Sequence, residues 1–117
     1  MAREPSRGEI WTANLDPYIG HEQAGERPVL IISTNTFNHG LADMIIIVPL
    51  TSTARRIPFR VQVNPPDGGV SNTCYVLCDS VRAISKERLD ARRGAWGQVD
   101  AATLTQVEDY LRILLEL

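Results

Sequence analysis

From Gly8 to Leu15 the side chains alternate, with Ile10, Thr12 and Asn14 set against Trp11, Ala13 and Leu15. That period of two predicts a half-buried strand, which Asp16-Pro17 ends. Pro28–Ser33 is apolar without interruption until its last residue, the pattern of a strand covered on both faces. Asp43–Leu50, rich in isoleucine, predicts a third and central strand. Phe59–Val63 alternates again and predicts a fourth. A fifth is expected over Thr73–Cys78, extended through Asp79–Ile84. Short helices or turns are expected at Asn35–Gly40 and Ser85–Leu89, a turn at Asn64–Gly69, and a last short strand at Gly94–Gly97. Asp100 then reads as an N-cap, and Leu104, Val107, Leu111, Leu114 and Leu115 recur at helical spacing. Strands followed by one terminal helix imply a mainly-β fold. The expected architecture is a small SH3-like barrel, a curled antiparallel sheet closed by a C-terminal helix. Residues 1–6 read as a flexible tail and 7–117 as one domain.

Between the first two strands lies Tyr18–Arg27, a polar stretch with two glycines that is longer than a hairpin needs. Loops of that kind often carry function. The longest apolar run, Met44–Leu50, is far short of the ~20 residues that cross a bilayer. Met1–Ser6 has no apolar core of a secretory signal, so a cytoplasmic location is expected.

Composition removes further possibilities. A net charge of −2 argues against a broad, nonspecific nucleic-acid binder. The positive charge is nearly all arginine, with Lys86 the only lysine, and arginine suits bidentate contacts to phosphate, although GC-rich coding also enriches it. Cys74 and Cys78 fall on one face of a predicted strand, ~13 Å apart, beyond the ~7 Å that a disulfide spans. They read as two buried thiols. Only His21 and His39 remain to complete a zinc site, and both are distant in sequence. No phosphate loop ending in Gly-Lys-Ser/Thr, no Gly-x-Ser-x-Gly elbow and no His-Glu-x-x-His helix is present. Acidic residues are scattered, and neither metal nor cofactor is expected. The remaining tools are arginine, hydroxyls and one histidine or glutamate. Two places offer them: Arg27, just before a buried strand, and Thr51-Ser52-Thr53, at the exit of the central one.

Taken in order, these residues resemble a family. Arg7–Trp11 is similar to the opening Arg-Gly-Asp/Glu-(Ile/Val)-(Trp/Tyr) of the MazF/PemK (Kid) toxins. Asp16-Pro17 with Gly20–Leu30 resembles their Asp-Pro…Gly-x-Glu-Gln-x-Gly-x-Arg-Pro signature. Pro49–Ser52, Pro58-Phe59, Val81–Ile84 and Lys86–Leu89 resemble the later elements. The resemblance covers nearly the whole chain. It implies a homodimeric toxin with a cognate antitoxin that cleaves single-stranded RNA selectively and without a metal. Attack by the 2′-hydroxyl would leave 2′,3′-cyclic phosphate and 5′-hydroxyl ends. By position it implies Arg27 and Thr51 as the catalytic pair. Gly20, His21, Glu22, Gln23, Ser52, Asp79, Ser80 and Arg82 are expected to meet RNA. His21 and Glu22 both stand as candidates for the general base. Where the family often has glutamine, Ser80 stands here; it cannot make glutamine's paired hydrogen bonds to a base edge, so a different sequence preference is expected. The competing reading is a non-enzymatic toxin of the same fold, like the gyrase inhibitor CcdB. Its C-terminal end carries tryptophan and glycine, whereas this chain ends in the amphipathic stretch Arg112–Leu117. A third is an RNA-binding module without turnover.

Overall fold

The computed structural model of the chain describes residues 4–16 and 25–117. Their elements are β1 (Glu9–Asn14), β2 (Glu26–Ile31), α1 (Asn35–Asn38), β3 (Met44–Thr51), β4 (Arg60–Val63), β5 (Cys74–Leu77), β6 (Arg82–Ser85), β7 (Gly97–Gln98) and α2 (Ala101–Leu115). The strands form one antiparallel sheet in the order β4-β5-β3-β2-β1-β7, and β6 also pairs with β3. The mainly-β fold with a curled sheet and a C-terminal helix is the one expected from the element order.

The curl buries both faces. One face, with Ile10, Leu30, Val48, Leu50, Val61, Val63 and Val76, packs against α2. The other carries Trp11, Ala13, Leu15, Val29, Ile31, Ile45, Ile47 and Ile84, with Leu89 and Ala95 laid over them. The 86–96 segment closes that side. Ala13 bridges to Leu89, the Asp90 N–H donates to the Thr12 carbonyl (2.9 Å), and the Trp96 N–H donates to that of Ile10 (2.7 Å). This explains why Val29, Leu30 and Ile31 are all fully buried, as the uninterrupted apolar run of β2 predicts.

Three expectations need correction. The fifth strand does not run on to Ile84. It breaks at Cys78–Ser80 into a single 3-10 turn, and β6 begins beyond it. The apolar stripe of α2 consists of Leu104, Val107, Leu111 and Leu114, joined by Tyr110. Leu115 is half exposed, because the 3-4-3 spacing that ends on Leu114 turns the next residue away just before the left-handed cap at Glu116. Of the residues read as a tail, 4–6 are held: Pro5 is buried, Glu4 pairs with Lys86 (3.0 Å) and the Ser6 N–H donates to Glu9 Oε1 (2.7 Å). Cys74 and Cys78 are both buried and unpaired. Among the described residues no helix is long and apolar enough to cross a membrane.

The helix is fixed at its start by two aspartates. Asp100 caps it, accepting from the Thr103 N–H (2.8 Å). Asp67, in the turn before β5, accepts from the Asp100 N–H (2.8 Å) and from the Thr103 hydroxyl (2.6 Å). Arg7 ties the N-terminus to the same helix through Glu108 and also donates to the Ile32 carbonyl. Gly69 brings the Asp67 turn against β7. Its φ is +79°, and an added Cβ would lie 2.1 Å from the Trp96 carbonyl oxygen.

Gly69→Ala is expected to lower stability by at least about 2 kcal/mol, since backbone strain and a backbone clash coincide there; urea denaturation of the two proteins checks this. The Asp100 carboxyl is held below its ordinary range, chiefly by the Thr103 N–H. A depressed carboxyl stabilises the fold above its unfolded pKa of about 3.9 and loses that contribution as pH falls through the folded value. Asp100→Ala should therefore lower the melting temperature at pH 7, and the gap from wild type should narrow once the pH drops below about 4.

Candidate active site

Strands β2 and β3 bring the two chemically distinctive residues together. Val29 lies opposite Pro49, Leu30 opposite Val48 and Ile31 opposite Ile47. Continuing this register by two residues sets Arg27 across from Thr51, on the face that carries Val29 and Ile31. An apolar face thus ends in a guanidinium and a hydroxyl. Thr51 is only 8% exposed, and its Oγ1 accepts from the Thr53 N–H (3.2 Å), which leaves its own proton to donate.

The other edge of β3 supplies the next pair. Leu50 lies opposite Val76, and Ile47 lies opposite Arg82. Three steps along β3 are matched by six along the facing edge, so three residues are extra. They are the turn Cys78–Ser80, a large bulge of the kind that re-aims side chains beside active sites. Its Asp79 and Ser80 reach the cavity that Arg27 and Thr51 line.

Two cavities adjoin the Arg27–Thr51 pair, and both include it. The larger, about 440 Å³, is bounded further by Thr53, Arg55, Ile57, Arg60 and Leu77, with Asp79 and Ser80. The smaller, about 220 Å³, is bounded further by Glu26, Pro28, Ser52, Ser71, Asn72 and Trp96, among others. Trp96 is fixed on two sides: its Nε1–H donates to Thr12 Oγ1 (3.0 Å), and the Arg93 guanidinium lies 4.1 Å from its ring centroid. The pair therefore borders both recesses.

Charge and proton chemistry narrow the possibilities. The larger cavity is lined by three arginines and one carboxylate, Asp79, so it attracts anions. Burial, with Asp79 adding to it, pushes the Cys78 thiol up to about 12, and burial raises that of Cys74 as well. Neither forms a thiolate at neutral pH, so cysteine nucleophiles are excluded. Among the described residues no three of His, Cys, Asp or Glu gather as a metal site.

Of the residues singled out from sequence, Arg27, Thr51, Ser52, Asp79 and Ser80 converge here. Arg82 lines neither cavity; beyond the bulge the chain has rejoined β3 opposite Ile47. Gly20, His21, Glu22 and Gln23 lie outside the described residues. Sequence reasoning passed over Arg55, Arg60, Asn72 and Trp96. The basic run after Thr51 and a tryptophan two residues from each of two glycines or nearer were the available signals.

The sequence profile of the PemK-like, MazF-like toxins of type II toxin–antitoxin systems matches residues 6–115. The endoribonuclease MazF9 of Mycobacterium tuberculosis is 33% identical over 116 residues, covering 95% of this chain and 96% of that protein. MazF of Deinococcus radiodurans superposes with a TM-score of 0.81 at 32% identity, covering 98% of this chain and 99% of its own. A mycobacterial endoribonuclease in complex with its cognate antitoxin gives a TM-score of 0.77 at 29% identity, covering 97% and 96%. On the same curled sheet, with Arg27 and Thr51 facing each other at its polar end, the chain belongs to the PemK/MazF-like toxin family of type II toxin–antitoxin systems.

Proposed function

We propose that the protein is a metal-independent endoribonuclease, the toxin of its pair, acting in the cytoplasm as a homodimer restrained by a cognate antitoxin. The reading is carried by the Arg27–Thr51 pair, which lines both an arginine-rich recess and a tryptophan-walled one. The substrate it suits is single-stranded RNA, whose unstacked bases can be splayed into recesses beside the backbone.

Such RNA carries its own nucleophile. The 2′-oxygen attacks the adjacent phosphorus, the bond to the 5′-oxygen breaks, and a 2′,3′-cyclic phosphate and a 5′-hydroxyl result. The protein must hold the attacking and leaving oxygens in line and stabilise the added negative charge of the phosphorane. Arg27 is the electrostatic stabiliser, since a cationic guanidinium grips two oxygens at once. Thr51 donates from a fixed, buried position to a phosphate oxygen. Its acceptor role toward the Thr53 N–H restricts where its proton can point. Ser52 lies on the Trp96 side and Asp79 and Ser80 on the other, so each flanks the reacting bond from one direction. Gly20–Gln23 lie between β1 and Arg27 in sequence, and the general base is assigned to that stretch, to His21 or Glu22.

The test is cleavage of long RNAs of diverse sequence in excess EDTA, wild type beside Arg27→Ala, with the product ends mapped. Discrete cuts with 5′-hydroxyl ends are expected from the wild type. A loss of at least about 100-fold is expected in the variant, whose fold should persist because Arg27 sits at a strand end. Full activity in Arg27→Ala removes that residue from the mechanism. No cuts from a folded wild-type dimer free of antitoxin would sink the nuclease reading in favour of a toxin that poisons a protein such as gyrase.

A further inference from the structure

Strand β4 contributes one side chain that the family-based reading leaves unused. Val61 and Val63 of this strand point into the core, and the alternation sends Arg60 to the opposite face. There Arg60 lies opposite Leu77 of β5 and lines the same cavity as Arg27, Thr51, Asp79 and Ser80. Its Nε is buried with no hydrogen-bond partner. Buried polar side-chain atoms nearly always have partners, so an orphaned guanidinium N–H in a residue that lines a cavity is a departure that a functional role explains.

The backbone that delivers Arg60 is strained. Phe59, immediately before it, has a φ of +66°, a conformation that a bulky residue adopts only when its surroundings impose it. Two contacts impose it here. The Phe59 ring meets Tyr110 of α2 edge to face, with centroids 5.6 Å apart, and the Phe59 carbonyl accepts from the Cys78 N–H (3.1 Å). Cys78 opens the bulge that carries Asp79 and Ser80. One hydrogen bond thus anchors both walls of the cavity. Arg55 also lines it but is exposed on an irregular segment, whereas Arg60 is half-buried on a strand.

We propose that Arg60 is a second catalytic arginine, donating to one non-bridging oxygen of the phosphorane while Arg27 and Thr51 hold the other. This rests on the nuclease reading above. A phosphodiester carries one negative charge and gains a second as the 2′-oxygen adds. A second fixed cation therefore acts more strongly on the transition state than on bound substrate, and lowers the barrier rather than merely tightening binding.

The experiment measures two quantities on the mapped RNA site for wild type, Arg60→Ala, Arg60→Gln and Arg60→Lys. One is the single-turnover cleavage rate. The other is affinity for the same RNA with a 2′-deoxy nucleotide at the cut, which binds but lacks the nucleophile. Both neutral variants should lose about 100-fold in rate and less than about tenfold in affinity for the 2′-deoxy RNA. Arg60→Lys, a point charge without the planar fork, should recover part of the rate yet stay at least about tenfold below wild type. A neutral variant within about threefold of wild type in rate, or one whose loss lies wholly in affinity, overturns the assignment. If neither neutral variant folds, Arg60→Lys carries the test, and full activity there overturns it. A wild type that cuts no RNA shows instead that the nuclease reading itself has failed.

Discussion

Strand β3 is asked to serve two partners on one edge, and they do not agree in register. Its last residues pair with β5 and its first residues with β6, yet β5 and β6 are offset by three residues more than β3 accounts for. The surplus cannot lie flat in the ladder, so it leaves as the turn Cys78–Ser80. Because the opposite edge of β3 pairs with β2, the turn emerges on the far side of Thr51 from Arg27. Cavity-lining groups from β2, β3 and the bulge therefore converge through strand pairing alone. Strand-borne groups are held more tightly than loop-borne ones, and a reaction that depends on in-line geometry benefits from that.

The same constraint divides what the sequence revealed from what it hid. Strands with a clear period or a long apolar run, and the helix with its Asp100 cap, were legible because their signals are local. Arg27 and Thr51 stood out by position at a strand start and a strand end. The bulge was not legible. Thr73–Ile84 reads as one apolar-leaning strand, and only the pairing of both its halves with a single β3 exposes the three surplus residues. Arg60 was hidden for a related reason. In an alternating strand it looks like any outward polar residue, and its role depends on what the sheet places beside that face. Trp96 likewise looked like part of a terminal strand, while Arg93 and Thr12, remote or unremarkable in sequence, make it a rigid wall.

The chemistry available here is arginine chemistry. The cavity is lined by three guanidinium groups, whose planar forks suit phosphate oxygens. What such a site needs besides is a proton acceptor. His21 and Glu22, which precede Arg27 in sequence, are the residues proposed for that role, and Cys78, whose thiol is held near 12 by burial, is not. A catalytic strategy in which cations do most of the work tolerates a weak base, because stabilising the phosphorane also acidifies the attacking hydroxyl.

Strain and anchoring complete the design. The positive φ of Phe59 is unfavourable by itself, and the fold offsets it from two directions, through the Tyr110 contact on α2 and the hydrogen bond to the bulge. Helix α2 is in turn fixed by Asp67, Asp100 and Arg7, each from a different part of the chain. The helix thus does more than cover one apolar face. It is the abutment against which the β4 entry is pressed, so the position of a cavity-lining arginine is set by residues that never touch the cavity. Loosening the helix start should be felt at Arg60 before it is felt at Arg27, whose strand is clamped on both sides by β1 and β3.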